Sequence, residues 1–279
     1  MKEGVPDSGR PAADSKQAAG EQVSAWLEAL EAGRLTPPRD PHDRAPWDRY
    51  WRNHLKVGTL EQAFSDWLSS DSKLPALLTR RGARTILCAG NGLSAEALSL
   101  AMFGFHVIAL DISAVPAEAF RRMLRNPEHP ARRVPGFDMR DDDAVTFTGS
   151  SPIDPELCPH IHRGADQVPT SGGSLSFVTG NLMTPEVCPG PFDVVIERRT
   201  VQLFPEDQQT PAIERLVACL AERGTLLSHQ HRGAWRPGDD LTHHAESWVT
   251  SHGFVVWSGA DGDQRESVPR LAYLKLSTG

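Results

Sequence analysis

From Arg84 to the end of the chain, short apolar runs alternate with stretches in which apolar residues recur at helical spacing. Apolar runs of this length predict buried strands, and their alternation with helices is typical of β-α-β units on a parallel sheet. The seven predicted strands are 85–89, 106–110, 174–179, 192–197, 225–229, 254–258 and 271–276. Helices are predicted around 94–103, 115–125, 208–222 and 241–251. The pattern therefore predicts an α/β fold, with helices on both faces of a mostly parallel seven-stranded sheet.

The chain ahead of this domain has a different pattern. Residues 1–20 are rich in glycine, proline, alanine and charge, without periodic apolar positions, so we expect a disordered tail. Residues 21–83 contain amphipathic helical stretches and predict a helical, aromatic cap. Within it, Trp47 and Trp51 are four residues apart and share one side of a helical turn. Such a pair is more often packing than a ligand contact.

Two features interrupt the α/β pattern of residues 84–279. The stretch 126–173 is proline-rich and too long for a simple connection, so we expect an insert that is functional or partly disordered. The last two predicted strands are separated by a loop that contains Asp261, Gly262 and Asp263. These residue types favour turns, so we predict a C-terminal antiparallel hairpin.

Composition narrows the choice of partners. The 279 residues include 29 Lys and Arg against 36 Asp and Glu, a formal net charge of −7. Without a basic block, a nucleic-acid backbone lacks its main electrostatic attraction, so we expect no nucleic-acid partner. No apolar run reaches the length of about eighteen residues that a membrane span needs, and no secretory signal is recognisable. The sequence leaves the oligomeric state open.

The four cysteines are scattered, with no C-x-x-C pair. We therefore expect neither a disulfide framework nor a metal site, and a reducing, cytoplasmic location. The histidines offer one alternative, in which a metal or general-base site is formed by His229, His231, His243 and His244. In most proteins such residues are simply polar positions on a loop and a helix.

The most specific local motif is the predicted strand 85–89 followed by Gly90, Asn91 and Gly92 and then by a helix. Glycines let the backbone turn sharply and approach a ligand, and the helix start offers free N–H groups. Asp111 follows the next strand, 21 residues after Gly90. An acid there can accept hydrogen bonds from ribose hydroxyls, so the motif predicts an adenosine-binding site.

The same loop also satisfies the dinucleotide pattern G-x-G-x-x-A, with Ala95 in the last position. An NAD(P)-dependent oxidoreductase therefore stays open. The long segment ahead of the loop and the predicted terminal hairpin argue against that class, because neither fits a second mononucleotide-binding half.

Several further features occur in a characteristic order along residues 47–276. They are the Trp47-x-x-x-Trp51 pair, Glu96 after the glycine loop, the segment 173–176 after the long insert, and the stretch Phe192-Asp-Val-Val-Ile-Glu-Arg198. With the loop and Asp111, this order resembles class I S-adenosylmethionine (SAM)-dependent methyltransferases, and within them the thiopurine methyltransferase-like group. The departures are Cys88 in place of a strand-one acid, Ser94 at the third loop glycine, Asn181 at an Asp or Ser, Glu197 at an Asp, and Arg199 at a Gly.

The resemblance implies a Rossmann-like fold that binds SAM and releases S-adenosylhomocysteine (SAH). It implies methyl transfer by in-line displacement to a sulfur, nitrogen or oxygen atom of a small-molecule acceptor. The cofactor-binding residues that it implies are Trp47, Trp51, Gly90, Asn91, Gly92, Asp111, Ile112, Asn181, Leu182 and Glu197. The resemblance also places Glu197 beside the acceptor, and it implies that Arg198 stabilises an anion there.

Within this interpretation, Asp111 holds the ribose, Asn181 and Leu182 flank the adenine, and the two tryptophans cover the sulfonium. Glu197 and Arg198 have a plainer alternative as an exposed ion pair. Three other classes stay open beside the small-molecule methyltransferase: a protein or RNA methyltransferase, the NAD(P)-dependent oxidoreductase, and a non-catalytic SAM-binding regulatory protein.

Overall fold

The computed structural model describes residues 37–56, 74–94, 96–133, 136–140, 144–147, 172–231, 255–257 and 271–277. The predicted tail, the first amphipathic stretch of the cap and the helix around 241–251 lie outside these residues. Within the described residues, no helix has the length and apolar character needed to cross a membrane.

One sheet organises the described chain. Its strands are β1 Thr85–Ala89, β2 His106–Asp111, β3 Phe137–Met139, β4 Val145–Phe147, β5 Gly173–Thr179, β6 Phe192–Arg198, β7 Leu220–His231, β8 Val255–Trp257 and β9 Leu271–Ser277. They lie in the order β3-β4-β5-β2-β1-β6-β7-β9-β8. All seven predicted strands are present, and the predicted Rossmann-like, mostly parallel α/β fold is confirmed.

Two strands were not predicted, because β3 and β4 have three residues each, too few for an alternating pattern. They lie in the stretch expected to be an insert, and they extend the sheet through antiparallel pairing of β3 with β4 and of β4 with β5. The described part of 126–173 therefore adds an edge to the sheet.

The predicted C-terminal antiparallel hairpin is wrong. Strand β9 pairs parallel with β7 on one side and parallel with β8 on the other. A parallel pair needs a crossover of about a dozen residues or more, and residues 258–270 provide that length. The hairpin was predicted from Asp261, Gly262 and Asp263, which favour turns. Residues of this kind also occur within longer connections, so they do not indicate a hairpin by themselves.

Helices cover both faces of the sheet. They are α1 Arg44–Lys56, α2 Leu74–Arg80, α3 Glu96–Met102, α4 Val115–Arg125 and α5 Glu206–Ala218. Side chains of β1 alternate between the faces: Ile86 belongs to one buried cluster with Leu100 of α3, and Leu87 belongs to another with Leu216 of α5. Burial on both faces explains why the strands are continuous apolar runs.

Strand β1 lies between β2 and β6, and both pairs are parallel. On one side of β1 the neighbouring strands are β2 and then β5, and on the other side they are β6 and then β7. In open α/β sheets a crevice forms at the carboxyl ends of the strands where the order reverses. The ends of β1, β2 and β6 are therefore where the fold favours a ligand.

Gly173, at the start of β5, gives a test of this packing. A Cβ atom there would lie 1.9 Å from the carbonyl oxygen of Ala101, because α3 rests directly on the strand. We expect Gly173→Ala to lower the free energy of unfolding by about 1–3 kcal/mol, measured by chemical denaturation. Ser174→Ala is the matched control, because its hydroxyl forms a hydrogen bond with exposed His106, at 3.0 Å. Equal stability of the two variants would contradict this packing.

Candidate functional site

A cavity of about 980 Å³ opens at the carboxyl ends of β1, β2, β5 and β6. Its floor includes the glycine loop after β1, Asp111 and Ile112 at the end of β2, and Asn181 and Leu182 after β5. Helix α1 forms one wall, and residues at the end of β6 and just after it, within 198–204, form part of the opposite one. The sheet therefore supplies the floor, whereas segments outside it supply much of the walls.

Asp111 ties the glycine loop to the end of β2. Its Oδ2 accepts a hydrogen bond from the Gly92 N–H at 2.9 Å, and its Oδ1 accepts one from the Ser113 N–H, also at 2.9 Å. Burial raises the pKa of Asp111 to about 6, although these bonds lower it. Each oxygen of a carboxylate has two acceptor sites, so further hydrogen bonds to Asp111 are possible from the cavity that it lines.

Trp51 of α1 covers the glycine loop. Gly92 has a φ of 51°, and a Cβ atom on it would lie 2.6 Å from two indole carbons of Trp51. The indole N–H is buried and close enough to lower the pKa of Asp111, but it lies outside normal hydrogen-bond geometry with any described residue. A buried donor without a good acceptor thus lies beside Asp111.

The rest of α1 continues this aromatic wall. Tyr50 and His54 follow Trp47 at helical spacing, and all three line the cavity with Trp51. The Tyr50 and His54 ring centroids are 4.4 Å apart, and those of Tyr50 and Trp51 are 4.8 Å apart. Tyr50 and His54 were not predicted as site residues, although the i, i+3, i+4, i+7 spacing from Trp47 was a usable signal.

Polar contacts fasten the wall to the sheet. The Trp47 indole donates to the Asp40 carbonyl at 3.0 Å, and the Ser113 hydroxyl donates to Asp48. Ahead of α1, His42 contacts the Asn181 amide nitrogen at 3.0 Å and Gln208 at 2.8 Å. The segment 37–56 is therefore held across the carboxyl ends of β2 and β5.

Glu197 does not lie where the sequence placed it. Neighbouring Ile196 and Arg198 line the cavity, but the Glu197 side chain is buried away from it. Its Oε2 accepts the N–H groups of Thr200 at 3.1 Å and Val201 at 3.3 Å, and its Oε1 accepts the Ser228 hydroxyl. Side chains alternate along β6, so Ile196 and Arg198 lie on one face of the strand and Glu197 lies on the other. Glu197 is therefore not among the residues that line the cavity, and its predicted contacts with cofactor and acceptor stay a prediction.

The last residue of β6 and the residue after it bring two arginines to the cavity. Arg198 is half-buried, and no hydrogen bond or ion pair of its side chain occurs within the described residues. Arg199 also lines the cavity and has a φ of 61°. Burial raises the pKa of Tyr50 to about 12, and the Arg199 charge acts in the opposite direction. Arg199 is exposed, and its charge favours the ionised form of a tyrosine in the aromatic wall.

The predicted site residues that line the cavity are Trp47, Trp51, Gly90, Asn91, Asp111, Ile112, Asn181, Leu182 and Arg198. Gly92 lies just beneath Trp51, and Glu197 is the residue that the structure separates from the others. The amide oxygen of Asn181 already accepts the Met183 N–H at 2.9 Å. Its expected contact with an adenine amino group would share that oxygen.

For the alternative histidine site, the structure gives only part of the group. His229 and His231 are two residues apart in β7, and His243 and His244 lie outside the described residues. Among the residues that are described, no three His, Cys, Asp or Glu side chains are grouped so that they could hold a metal ion.

The fold and the cavity together define the class: a doubly wound α/β protein with a ligand cavity at the topological switch point. No protein-family model matches the chain, and no curated protein matches it. Among solved structures, it is similar to magnesium protoporphyrin IX methyltransferase (ChlM) from Synechocystis PCC 6803, solved with bound SAM. The identity is 17% and the TM-score 0.31, and the similarity covers 61% of this chain and 59% of that chain.

The buried Glu197 gives a pH prediction. Burial raises its pKa to about 7, although hydrogen bonds from Ser228, Val201 and Thr200 lower it. Between the unfolded pKa of about 4.3 and the folded value, the folded protein retains a proton that the unfolded chain releases. Glu197 therefore contributes stability that is full at low pH and is lost as the pH rises through about 7.

We expect Glu197→Gln to remove this contribution, because its amide can donate to Ser228 while its oxygen accepts the two N–H groups. The measurement is the free energy of unfolding from pH 5 to pH 8. The stability of the wild type should fall relative to that of Glu197→Gln as the pH rises. Glu118→Gln, at an exposed glutamate of α4, is the control. Parallel curves for the wild type and Glu197→Gln would contradict the assignment.

Proposed function

We propose that this chain is a SAM-dependent methyltransferase that acts on a sulfur, nitrogen or oxygen atom of a small-molecule acceptor. The observation that carries the proposal is Asp111, which is tied to the glycine loop through Gly92 and retains acceptor capacity at the floor of a large cavity. The resemblance to the thiopurine methyltransferase-like group belongs to the same proposal.

The residues at the floor fit the adenosine part of SAM. Asp111 would accept the ribose hydroxyls, and Ile112 and Leu182 would provide apolar contacts beside the adenine. Gly90 and Gly92 both have positive φ, and the space of a Cβ atom at each is already taken, by Thr200 and Trp51 respectively. The unsatisfied Trp51 indole offers one further donor beside Asp111.

The wall formed by α1 fits the part of SAM that carries the positively charged sulfur. When bound, SAM supplies a methyl group on a positively charged sulfur, which reacts by in-line displacement. The rings of Trp47, Tyr50 and Trp51 would attract that charge through their faces and exclude water from it.

The protein's share of the chemistry is then mainly positioning. Holding an acceptor atom in line with the methyl group can supply roughly 7–11 kcal/mol, without a catalytic dyad. Arg198 lines the cavity without an ion-pair partner in the described chain, and its charge would stabilise an anionic nucleophile. Glu197 would act indirectly, because its carboxylate accepts hydrogen bonds from the turn that follows Arg198.

An NAD(P)-dependent oxidoreductase is the second candidate, because the strands β6, β7, β9 and β8 are all parallel. The strand order favours the first proposal. In the dinucleotide-binding order the strands of the second half follow one another outward, whereas here the last strand, β9, lies between β7 and β8.

Calorimetric titration of the purified chain with SAH, NAD and NADP tests the proposal. We expect SAH to bind, and Asp111→Ala to weaken it more than tenfold through loss of two charge-assisted hydrogen bonds. Asp138→Ala, at an exposed position of β3, is the control with the same change of charge. Binding of NAD or NADP without SAH would favour the oxidoreductase, and no binding of any of the three would contradict both enzyme classes.

Trp51 gives a second test. Trp51→Phe keeps a ring over Gly92 and removes the indole N–H, whereas Trp51→Ala uncovers the glycine loop. We expect SAH affinity to fall in the order wild type, Trp51→Phe, Trp51→Ala, by about tenfold in the last. Unchanged affinity in Trp51→Ala would show that this residue only packs.

A further inference from the structure

The loop that follows β5 is held by groups outside the sheet. Residues 181–188, here called the base loop, contain Asn181 and Leu182, which line the cavity. The pairing of β5 with β2 ends at Thr179, so the carbonyl groups of the base loop need other donors. One of them, that of Asn181, accepts the N–H of Thr184 at 3.0 Å. This bond closes a turn within the loop but does not attach the loop to the rest of the fold.

Arg215 of α5 makes that attachment. Its Nε donates to the Leu182 carbonyl at 3.2 Å, and its Nη2 donates to the carbonyls of Pro185 at 3.0 Å and Cys188 at 2.7 Å. The three acceptors come from the start, the middle and the end of the base loop. Because the guanidinium group is rigid and planar, these bonds fix the loop relative to α5. Hydrogen bonds from a charged donor are also stronger than neutral ones.

The same side of α5 also holds the segment ahead of α1. Gln208 lies seven residues before Arg215, which is two helical turns away on the same side of the helix. The Oε1 of Gln208 contacts the Nε2 of His42 at 2.8 Å, and the Nδ1 of His42 contacts the Asn181 amide nitrogen at 3.0 Å. Asn181 is therefore fixed from two directions, through the base loop by Arg215 and through His42 by Gln208.

This arrangement controls how the Asn181 amide is presented to the cavity. Its oxygen accepts the Met183 N–H at 2.9 Å, and an amide oxygen has a second acceptor site. A base with an amino group can donate to that site, whereas a base with a carbonyl group in the same place would bring two acceptors together. A hydrogen bond weakens steeply when its angle departs from the best geometry, so this discrimination depends on the position of the loop.

We propose that Arg215, which does not line the cavity, is a positioning residue that sets the preference of the site for adenine over hypoxanthine. It acts through the base loop, by holding Asn181 and Leu182 in the arrangement that suits the amino group of adenine. This inference rests on the proposed function, because it takes the base of SAM to lie beside these two residues.

Calorimetric titration with SAH and with S-inosylhomocysteine tests the proposal. The two ligands differ only in the base, where hypoxanthine has a carbonyl oxygen in place of the adenine amino group. We expect the wild type to bind SAH about tenfold more tightly, which corresponds to one net hydrogen bond. In Arg215→Met, which keeps a long unbranched side chain without donors, the two affinities should become nearly equal. Arg215→Lys keeps the charge without the planar fork and should retain part of the preference.

Arg122→Met, at an exposed position of α4, is the matched control and should keep the full preference. If Arg215→Met weakens both ligands by the same factor, the proposal is overturned, because a residue that only stabilises the fold leaves the ratio of the two affinities unchanged. Equal binding of the two ligands to the wild type would overturn it as well.

Hydrogen exchange of the full chain without ligand separates this inference from the proposed function. The N–H groups of Thr184 and Val187 both form hydrogen bonds within the base loop, at 3.0 and 3.1 Å. We expect them to exchange about tenfold faster in Arg215→Met than in the wild type, while the N–H groups of β1 keep their rates. Equal rates at Thr184 and Val187 would show that Arg215 does not hold the loop. If SAH fails to bind the wild type, the proposed methyltransferase and the adenine preference both fall, whereas the exchange rates still decide whether Arg215 positions the loop.

Discussion

A carboxylate can be buried in an α/β core only if its oxygens are hydrogen-bonded. Glu197 meets this condition by joining three separate parts of the chain: the end of β6, the turn at residues 199–201 and Ser228 of β7. The position of Arg199, and with it the charge on that side of the cavity, depends on these bonds. A residue that does not line the cavity therefore determines the shape of its wall.

The opposite wall depends on weaker connections. The segment 37–56, which contains helix α1, is not part of the sheet. Side-chain contacts hold it over the cavity, for example between Asp48 and Ser113 and between His42 and Asn181. Its aromatic residues bury each other as well as the glycine loop. Buried hydrogen bonds therefore fix one side of the cavity, whereas the other side is a helix that packs over the ends of the strands.

The strands could be predicted from sequence because each strand between covered faces is a continuous apolar run, as in β1 and β6. Strand direction could not, since the apolar pattern of a strand is the same in either direction, and the hairpin prediction failed for that reason. Asp111 and Asn181 could be placed at one edge because parallel strands end together. Glu197 could not be placed, because its burial depends on the groups of Thr200, Val201 and Ser228 that donate to it, and these come from the following turn and from another strand.

The attachment of α1 has an evolutionary consequence. Substitutions at Tyr50 or His54 alter the wall of the cavity without touching the pairing of any strand, so they can accumulate at little cost in folding free energy. Residues at the ends of β1 and β2 lack this freedom, because they belong to the core. Descendants of this chain are thus free to diverge in the compound that they recognise while they inherit the same cavity floor.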